Sequence, residues 1–155
     1  MVNQVQLRDV TDYDLPILFE YQRDPEANAM SAIPARDENT FSTHWKKILS
    51  DPTNILKTIV YDGQVAGSIV SFGMAGEREV GYWIGREFWG KGIATQALSD
   101  FLTLESTRPL YGYVAKHNLG SLRVLEKCGF NVTGENKYSN PAGKEVEEFI
   151  LKLSA

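Results

Sequence analysis

A chain of 155 residues, 43% apolar and 23% charged, has the size and composition of one globular domain, since roughly 68–70% of its unfolded surface can be buried at that length. Sixteen Lys and Arg against 20 Asp and Glu give a net charge of −4 with no run of like charge, which excludes a broad phosphate-backbone footprint and favours a cationic ligand. One cysteine, Cys128, and two histidines exclude an internal disulfide and a zinc ligand set, so chemistry falls to carboxylates, hydroxyls and backbone amides. No apolar run approaches the ~18 residues of a membrane span and residues 1–10 lack a leader pattern; the expectation is a cytoplasmic protein with no metal, membrane or nucleic-acid partner.

Residues 5–10 read as a first strand. Thr11-Asp12-Tyr13-Asp14 resembles a capping box, and Leu15, Leu18 and Phe19 share a face of a helix reaching about Gln22. Residues 24–39 are expected to be a mobile connection. A second helix fits 40–49, where Phe41, Trp45, Ile48 and Leu49 fall at i, i+4, i+7 and i+8. Two β-branched runs, 55–61 and 64–72, are joined by Asp62-Gly63, a strong hairpin signal, and 79–84 supplies a third antiparallel strand. Ile93, Ala97 and Phe101, with Ala94, Leu98 and Leu102, mark a helix that ends before Pro109. Residues 110–115 form a strand, 118–128 a capped helix stopped by Gly129, and 130–132 and 148–153 the closing strands. The order βααβββαβαββ gives an α/β (α+β) fold, one domain over 1–155 with a mixed, mostly antiparallel sheet flanked by helices.

Between the third strand and its helix lies Gly85-Arg-Glu-Phe-Trp-Gly90-Lys91-Gly92-Ile93-Ala94-Thr95, a turn whose successive N–H groups can converge on one anion. A dinucleotide-binding turn needs a third glycine where Thr95 stands and a parallel βαβ setting. A P-loop needs Ser or Thr for Mg²⁺ where Gly92 stands. What is left is an anion held without metal by amides and the helix dipole, such as the pyrophosphate of coenzyme A, or a glycine turn that merely joins strand to helix.

Trp89-Gly90-Lys91-Gly92-Ile93-Ala94 resembles the acetyl-CoA loop, Gln/Arg-x-x-Gly-x-Gly/Ala, of the GCN5-related N-acetyltransferase (GNAT) superfamily, with Trp89 at the Gln/Arg position. Residues 79–94 are similar to the ribosomal-protein N-terminal acetyltransferase (RimJ/RimL-like) branch. Asn118-Leu-Gly-Ser121, followed by Lys127-Cys-Gly129-Phe130, resembles that branch's second motif. The resemblance covers essentially the whole chain. It implies an acetyl-CoA-dependent N-acetyltransferase without metal, acting on a primary amine of a small molecule or a protein N-terminus by direct attack through a tetrahedral intermediate. Acetyl-CoA would lie against Trp83, Ile84, Trp89, Gly90, Lys91, Gly92, Ile93, Ala94 and Thr95, with the oxyanion on an N–H near Trp83 or Ile84 and the pantetheine arm on Asn118. Ser121 would sit near the sulfur, and it is the candidate proton donor because Leu125 stands where the superfamily often has tyrosine. Asn118 also reads as an ordinary N-cap.

An alkyl ammonium is mostly protonated at neutral pH, so transfer to it needs a base. Glu79, at a strand position matching the family's frequent base site, is the candidate; the alternative is a solvated charge beside Glu77 and Arg78 at a strand start. Along the strand Glu79, Gly81 and Trp83 share one face, and Val80, Tyr82 and Ile84 the other. Cys128 reads as core, His44 and His117 as surface residues with no partner nearby in the sequence, and Tyr111 and Tyr113 as packing. The other reading of the same motifs is a non-catalytic acyl-CoA-binding or sensing module. Acceptor specificity falls to residues 21–39, Trp45 and 136–144, which carry no code, and nothing in the sequence fixes an oligomeric state.

Overall fold

A computed structural model describes residues 4–155. Strand β1 (Val5–Asp9) is followed by helices α1 (Leu15–Tyr21), α2 (Pro25–Ser31) and α3 (Glu38–Leu49). A meander of β2 (Ile55–Tyr61), β3 (Gln64–Met74) and β4 (Glu77–Ile84) passes through one 3-10 turn, Arg86–Phe88, into α4 (Ile93–Phe101). Strand β5 (Leu110–Ala115), α5 (Leu119–Lys127), β6 (Asn131–Ser139) and β7 (Glu145–Leu153) complete the chain. The single sheet has the order β1-β2-β3-β4-β5-β7-β6, and only β4 and β5 run parallel. The mixed, mostly antiparallel sheet flanked by helices is the expected class; the element order carries one more helix.

That helix is α2, in place of the mobile connection. Asp24 accepts from the Glu26 N–H at 3.2 Å, Pro25 stands at the first helical position and Glu26 puts an acid in the first turn. The strands also extend further than apolar alternation indicates. Strands β3 and β4 continue to a tight turn at Ala75 and Gly76, both with positive φ. Edge strand β6 is almost wholly exposed, so a polar sequence satisfies it and no alternation marks it. At Asp62-Gly63 both residues have positive φ, 52° and 79°, as a two-residue hairpin requires.

Only one arm of the Thr11–Asp14 box forms. Helix α1 starts at Leu15, and the Asp14 carboxylate, besides accepting from the Thr11 N–H at 2.9 Å, accepts from both Arg8 Nη atoms at 2.7 and 2.8 Å and from Thr58 Oγ1 at 2.7 Å. Burial pushes this carboxyl up, but the donors outweigh it and hold it at about 2. The contact joins β1, α1 and β2.

Ile69 belongs to the larger apolar cluster, with Ile93, Ala97, Leu98 and Phe101 of α4, Leu110 of β5 and Leu125 of α5. The next residue, Val70, packs with Leu18, Phe41 and Trp45 of α1 and α3. Alternation therefore places the clusters on opposite faces of the sheet, with each buried Leu, Ile or Phe contributing about 1.5–3 kcal/mol.

Candidate active site

Parallel strands β4 and β5 pair at two rungs only, Arg78 with Leu110 and Glu79 with Tyr111. Beyond Glu79 they diverge, and the facing main-chain groups of 80–84 and 112–115 border a gap. Arg78 anchors the last paired rungs: its Nε donates to Glu105 Oε1 at 2.7 Å, and its Nη2 donates to the Thr53 carbonyl. From the gap opens a cleft of about 620 Å³, walled by Tyr82, Trp83 and Ile84 of β4, the 88–95 turn without Lys91, and Asn118 to Ser121 with Val124 at the start of α5. Ala27, Met30 and Ser31 of α2 form its roof. The roof is clasped at both ends, by Arg86 pairing with Asp24 and Glu26 at 3.3 and 3.0 Å and by His117 Nε2, 2.8 Å from the Ala29 carbonyl. His117 is exposed, as expected, and its partner lies 88 positions away in the chain, whereas His44 is half-buried rather than at the surface.

The glycine turn has the conformation its sequence anticipates. Gly90 and Gly92 both have φ of 76°, and a Cβ built on either meets nothing within 4 Å. Gly92 is the N-cap of α4 and supplies no side chain to the first helical N–H groups. Trp89 Nε1 donates to the Ile84 carbonyl at 2.9 Å, fastening the turn to β4. Trp83, Ile84, Trp89, Gly90, Gly92, Ile93, Ala94, Thr95 and Asn118 all line the cleft; Lys91 is exposed beside it.

At the start of α5, the Asn118 side-chain oxygen accepts from the Ser121 N–H at 3.2 Å, the N-cap geometry expected of it. Ser121 Oγ lies 2.6 Å from Tyr82 Oη. Sequence reasoning missed Tyr82, although alternation sets it with Val80 and Ile84 on one face of the strand, the face that packs against α4 and α5. Burial raises its phenol, only partly offset by the Ser121 hydrogen bond, so it stays neutral. Leu125 is buried, its Cδ1 3.1 Å from a Cβ built on Gly112. Cys128 is half-buried, 3.6 Å from the Thr95 carbonyl, and burial pushes its thiol up.

Glu79 and Ser121 are not brought together. Alternation points Glu79 to the face opposite Tyr82, at the mouth of the strand divergence and outside the cleft lining. Burial, then the charges of Glu77 and Glu148, push its carboxyl up to about 7. Tyr113 does more than pack: its Oη donates to Glu77 Oε2 at 2.8 Å, and burial followed by that bond pushes the phenol up to about 12. Asn136 donates to Glu148 at 3.0 Å. Among the described residues no Lys or Arg pairs with Glu77, Glu79 or Glu148. The described residues also contain no His, Cys, Asp and Glu group able to hold a metal ion, and no helix long and apolar enough to cross a membrane.

Residues 4–131 match the family model described as an acetyltransferase (GNAT) domain. The chain is 26% identical over 165 aligned positions to an uncharacterized N-acetyltransferase, p20, of Bacillus licheniformis, covering 97% of this chain and 92% of that one. It is 34% identical over 104 positions to YdaF of Bacillus subtilis, named as a candidate ribosomal N-acetyltransferase, across 62% of this chain and 56% of that one. Among solved structures, the ribosomal-protein-alanine N-acetyltransferase of Brucella melitensis superposes with a TM-score of 0.81 at 18% identity, covering 97% and 99% of the two chains. A phosphinothricin acetyltransferase of Sinorhizobium meliloti, solved with AcCoA, gives 0.81 at 17% identity over 96% and 86%; at such identities the likeness is one of fold. The sequence match over residues 4–131, the divergence of β4 from β5 and the glycine turn at the head of α4 agree, and the chain belongs to the GNAT acetyltransferase family.

Proposed function

We propose that the protein transfers the acetyl group of acetyl-CoA to a primary amine carrying positive charge, by direct attack through a tetrahedral intermediate. The observation that carries this reading is the divergence of β4 and β5 beyond Glu79, with a cleft on one side of β4 and a carboxylate held at about 7 on the other. Pyrophosphate fits the free N–H groups at the head of α4, where Gly90 and Gly92 leave open space. Pantetheine fits the gap as an added strand, bonding main-chain groups of 80–84 and the Asn118 side chain.

The acceptor approaches from the Glu79 side. Glu77, Glu79 and Glu148 without cationic partners favour an ammonium there, in keeping with the net charge of −4. Removing a proton from an ordinary alkyl ammonium with a base of pKa about 7 costs about 4–5 kcal/mol. Glu79, directly or through water, takes that proton, the lone pair of the neutral amine bonds to the thioester carbon, and the second nitrogen proton, now far more acidic, passes to water as the intermediate forms. The C–S bond then breaks, the electron pair leaves on sulfur, and Ser121 offers a hydrogen bond to that thiolate. Release of free coenzyme A from acetyl-CoA across a panel of peptide N-termini and small amines tests the reading. Tight binding of acetyl-CoA with no release for any amine would establish an acyl-CoA sensor instead.

Gly92→Ala tests the pyrophosphate placement. Alanine at φ of 76° costs roughly 1–2 kcal/mol of stability, and its methyl group enters the space assigned to the anion. Calorimetric affinity for acetyl-CoA is expected to fall roughly tenfold or more, about 1.4 kcal/mol. Unchanged affinity in the folded variant would place the pyrophosphate elsewhere.

A further inference from the structure

We infer that Tyr82 is a positioning residue for the reaction, donating its phenolic hydrogen bond to Ser121 so that the single Ser121 hydroxyl proton is directed at the departing sulfur. This rests on the acetyltransferase reading and supplies what that reading lacks. Leu125, buried against β5, leaves no tyrosine on α5 facing the cleft. A lone serine hydroxyl rotates freely and is a weak acid, so by itself it orients poorly toward a thiolate.

Tyr82 and Ser121 both wall the cleft, and their oxygens lie 2.6 Å apart. They come from different elements, β4 and α5, on either side of the strand divergence. Neither hydroxyl has another hydrogen-bond partner among the described residues. Two hydroxyls share two protons; one is spent inside the pair and the other is free. The phenol is the stronger acid and the alcohol oxygen the better acceptor, so the bond runs from Tyr82 to Ser121 and the free proton is the serine's. Accepting that bond polarises the Ser121 O–H and makes it a better donor in turn. The Asn118 side-chain oxygen, bonded to the Ser121 N–H at 3.2 Å, fixes the serine backbone, so the hydroxyl is held from both sides. Developing negative charge on sulfur therefore meets an O–H already aimed, with no reorganisation at the moment the C–S bond breaks.

Tyr82→Phe removes one oxygen and no carbon, leaving the packing against α5 intact. The experiment measures single-turnover thiol release, KM for acetyl-CoA and Tm for the unmodified protein, Tyr82→Phe, Ser121→Ala and the double variant. Ser121→Ala is expected to slow release roughly tenfold to a hundredfold, and Tyr82→Phe about three- to tenfold, both at nearly constant KM. In the Ser121→Ala background, Tyr82→Phe is expected to cost nothing further, because its effect passes through the serine. Ser121→Thr, which keeps the hydroxyl, should restore most of the rate and the sensitivity to Tyr82→Phe, and it stands in if Ser121→Ala does not fold. Equal losses from Tyr82→Phe with and without the hydroxyl at position 121 would overturn the inference and leave the acetyltransferase reading intact. So would a lowered Tm with an unchanged rate. Absence of thiol release from the unmodified protein with every amine would overturn both together.

Discussion

Glu79→Gln is expected to lower kcat/KM for the amine acceptor roughly 10²–10⁴-fold while leaving acetyl-CoA affinity unchanged, the usual scale for loss of a general base. Glutamine keeps the shape and cannot take the proton. The carboxyl of Glu79 is pushed up to about 7 by burial and by Glu77 and Glu148, so it is about half ionised at neutrality, and the rate with the unmodified protein should rise through pH 7 and flatten above it. In Glu79→Gln that limb should vanish, and the residual rate should climb tenfold per pH unit toward the acceptor's own pKa near ~10. Stability supplies an independent sign. Between the ordinary value near 4.5 and about 7 the folded protein holds a proton that the unfolded chain has released, so Glu79 makes stability fall as pH rises through that window. Glu79→Gln should flatten this slope. A near-normal rate with an unaltered pH profile would remove Glu79 from the mechanism.

Glu77→Gln and Glu148→Gln extend the same argument. Each removes one of the charges that raise Glu79, and each is expected to shift the rising limb of the pH–rate profile to lower pH while weakening a cationic acceptor through KM.

The parts of this site that sequence makes visible are those where backbone conformation dictates residue type. Gly90 and Gly92 stand where φ is positive, Asp62-Gly63 where both hairpin residues need it, and Asn118 where a helix start needs an acceptor. Glu79 is a candidate through the resemblance of its strand position to the family's base site; alternation by itself only separates it from Val80 and Ile84. Tyr82 was assigned to a face but not to a role, because its partner, Ser121, lies 39 positions away on another element and only the divergence of β4 from β5 brings them to 2.6 Å. The roof is hidden for a different reason. Seven-residue α2 carries too little apolar periodicity to register, though Asp24-Pro25-Glu26 is a complete helix-start signal, and its clasps to Arg86 and His117 join residues far apart in the chain.

Gly67 was not singled out at all, yet Gly67→Ala is expected to have the largest effect on stability of any conservative substitution in the sheet. A Cβ built on Gly67 falls 1.9 Å from the Trp83 carbonyl oxygen and 3.0 Å from Ile84 Cα, both main-chain atoms that cannot swing aside. The approach is close because β3 is irregular here: its register against β2 shifts between Ile59 and Val60, and the Gly85 N–H is drawn to the Ala66 carbonyl at 2.8 Å. A peptide unit is planar and trans, so a Trp83 carbonyl directed at Gly67 of β3 directs the Ile84 N–H away from β3, toward the gap beside β5. The family resemblance offers the oxyanion an N–H near Trp83 or Ile84, and we propose that of Ile84, with Gly67 the residue whose missing side chain lets the Trp83 carbonyl come this close. Forcing the strands apart should cost about 3 kcal/mol or more, lowering Tm by about 6–12 °C for a chain of this size. In the fraction that stays folded, kcat should fall roughly 10²–10³-fold, as on losing an oxyanion donor, with KM for acetyl-CoA little changed. Gly73→Ala is the control, since a Cβ there meets only the Glu77 carbonyl at 4.0 Å and alanine in an open strand is neutral or mildly stabilising. If Gly67→Ala melts and turns over like Gly73→Ala, the Trp83 carbonyl is free to rotate and the oxyanion donor is not held by this contact.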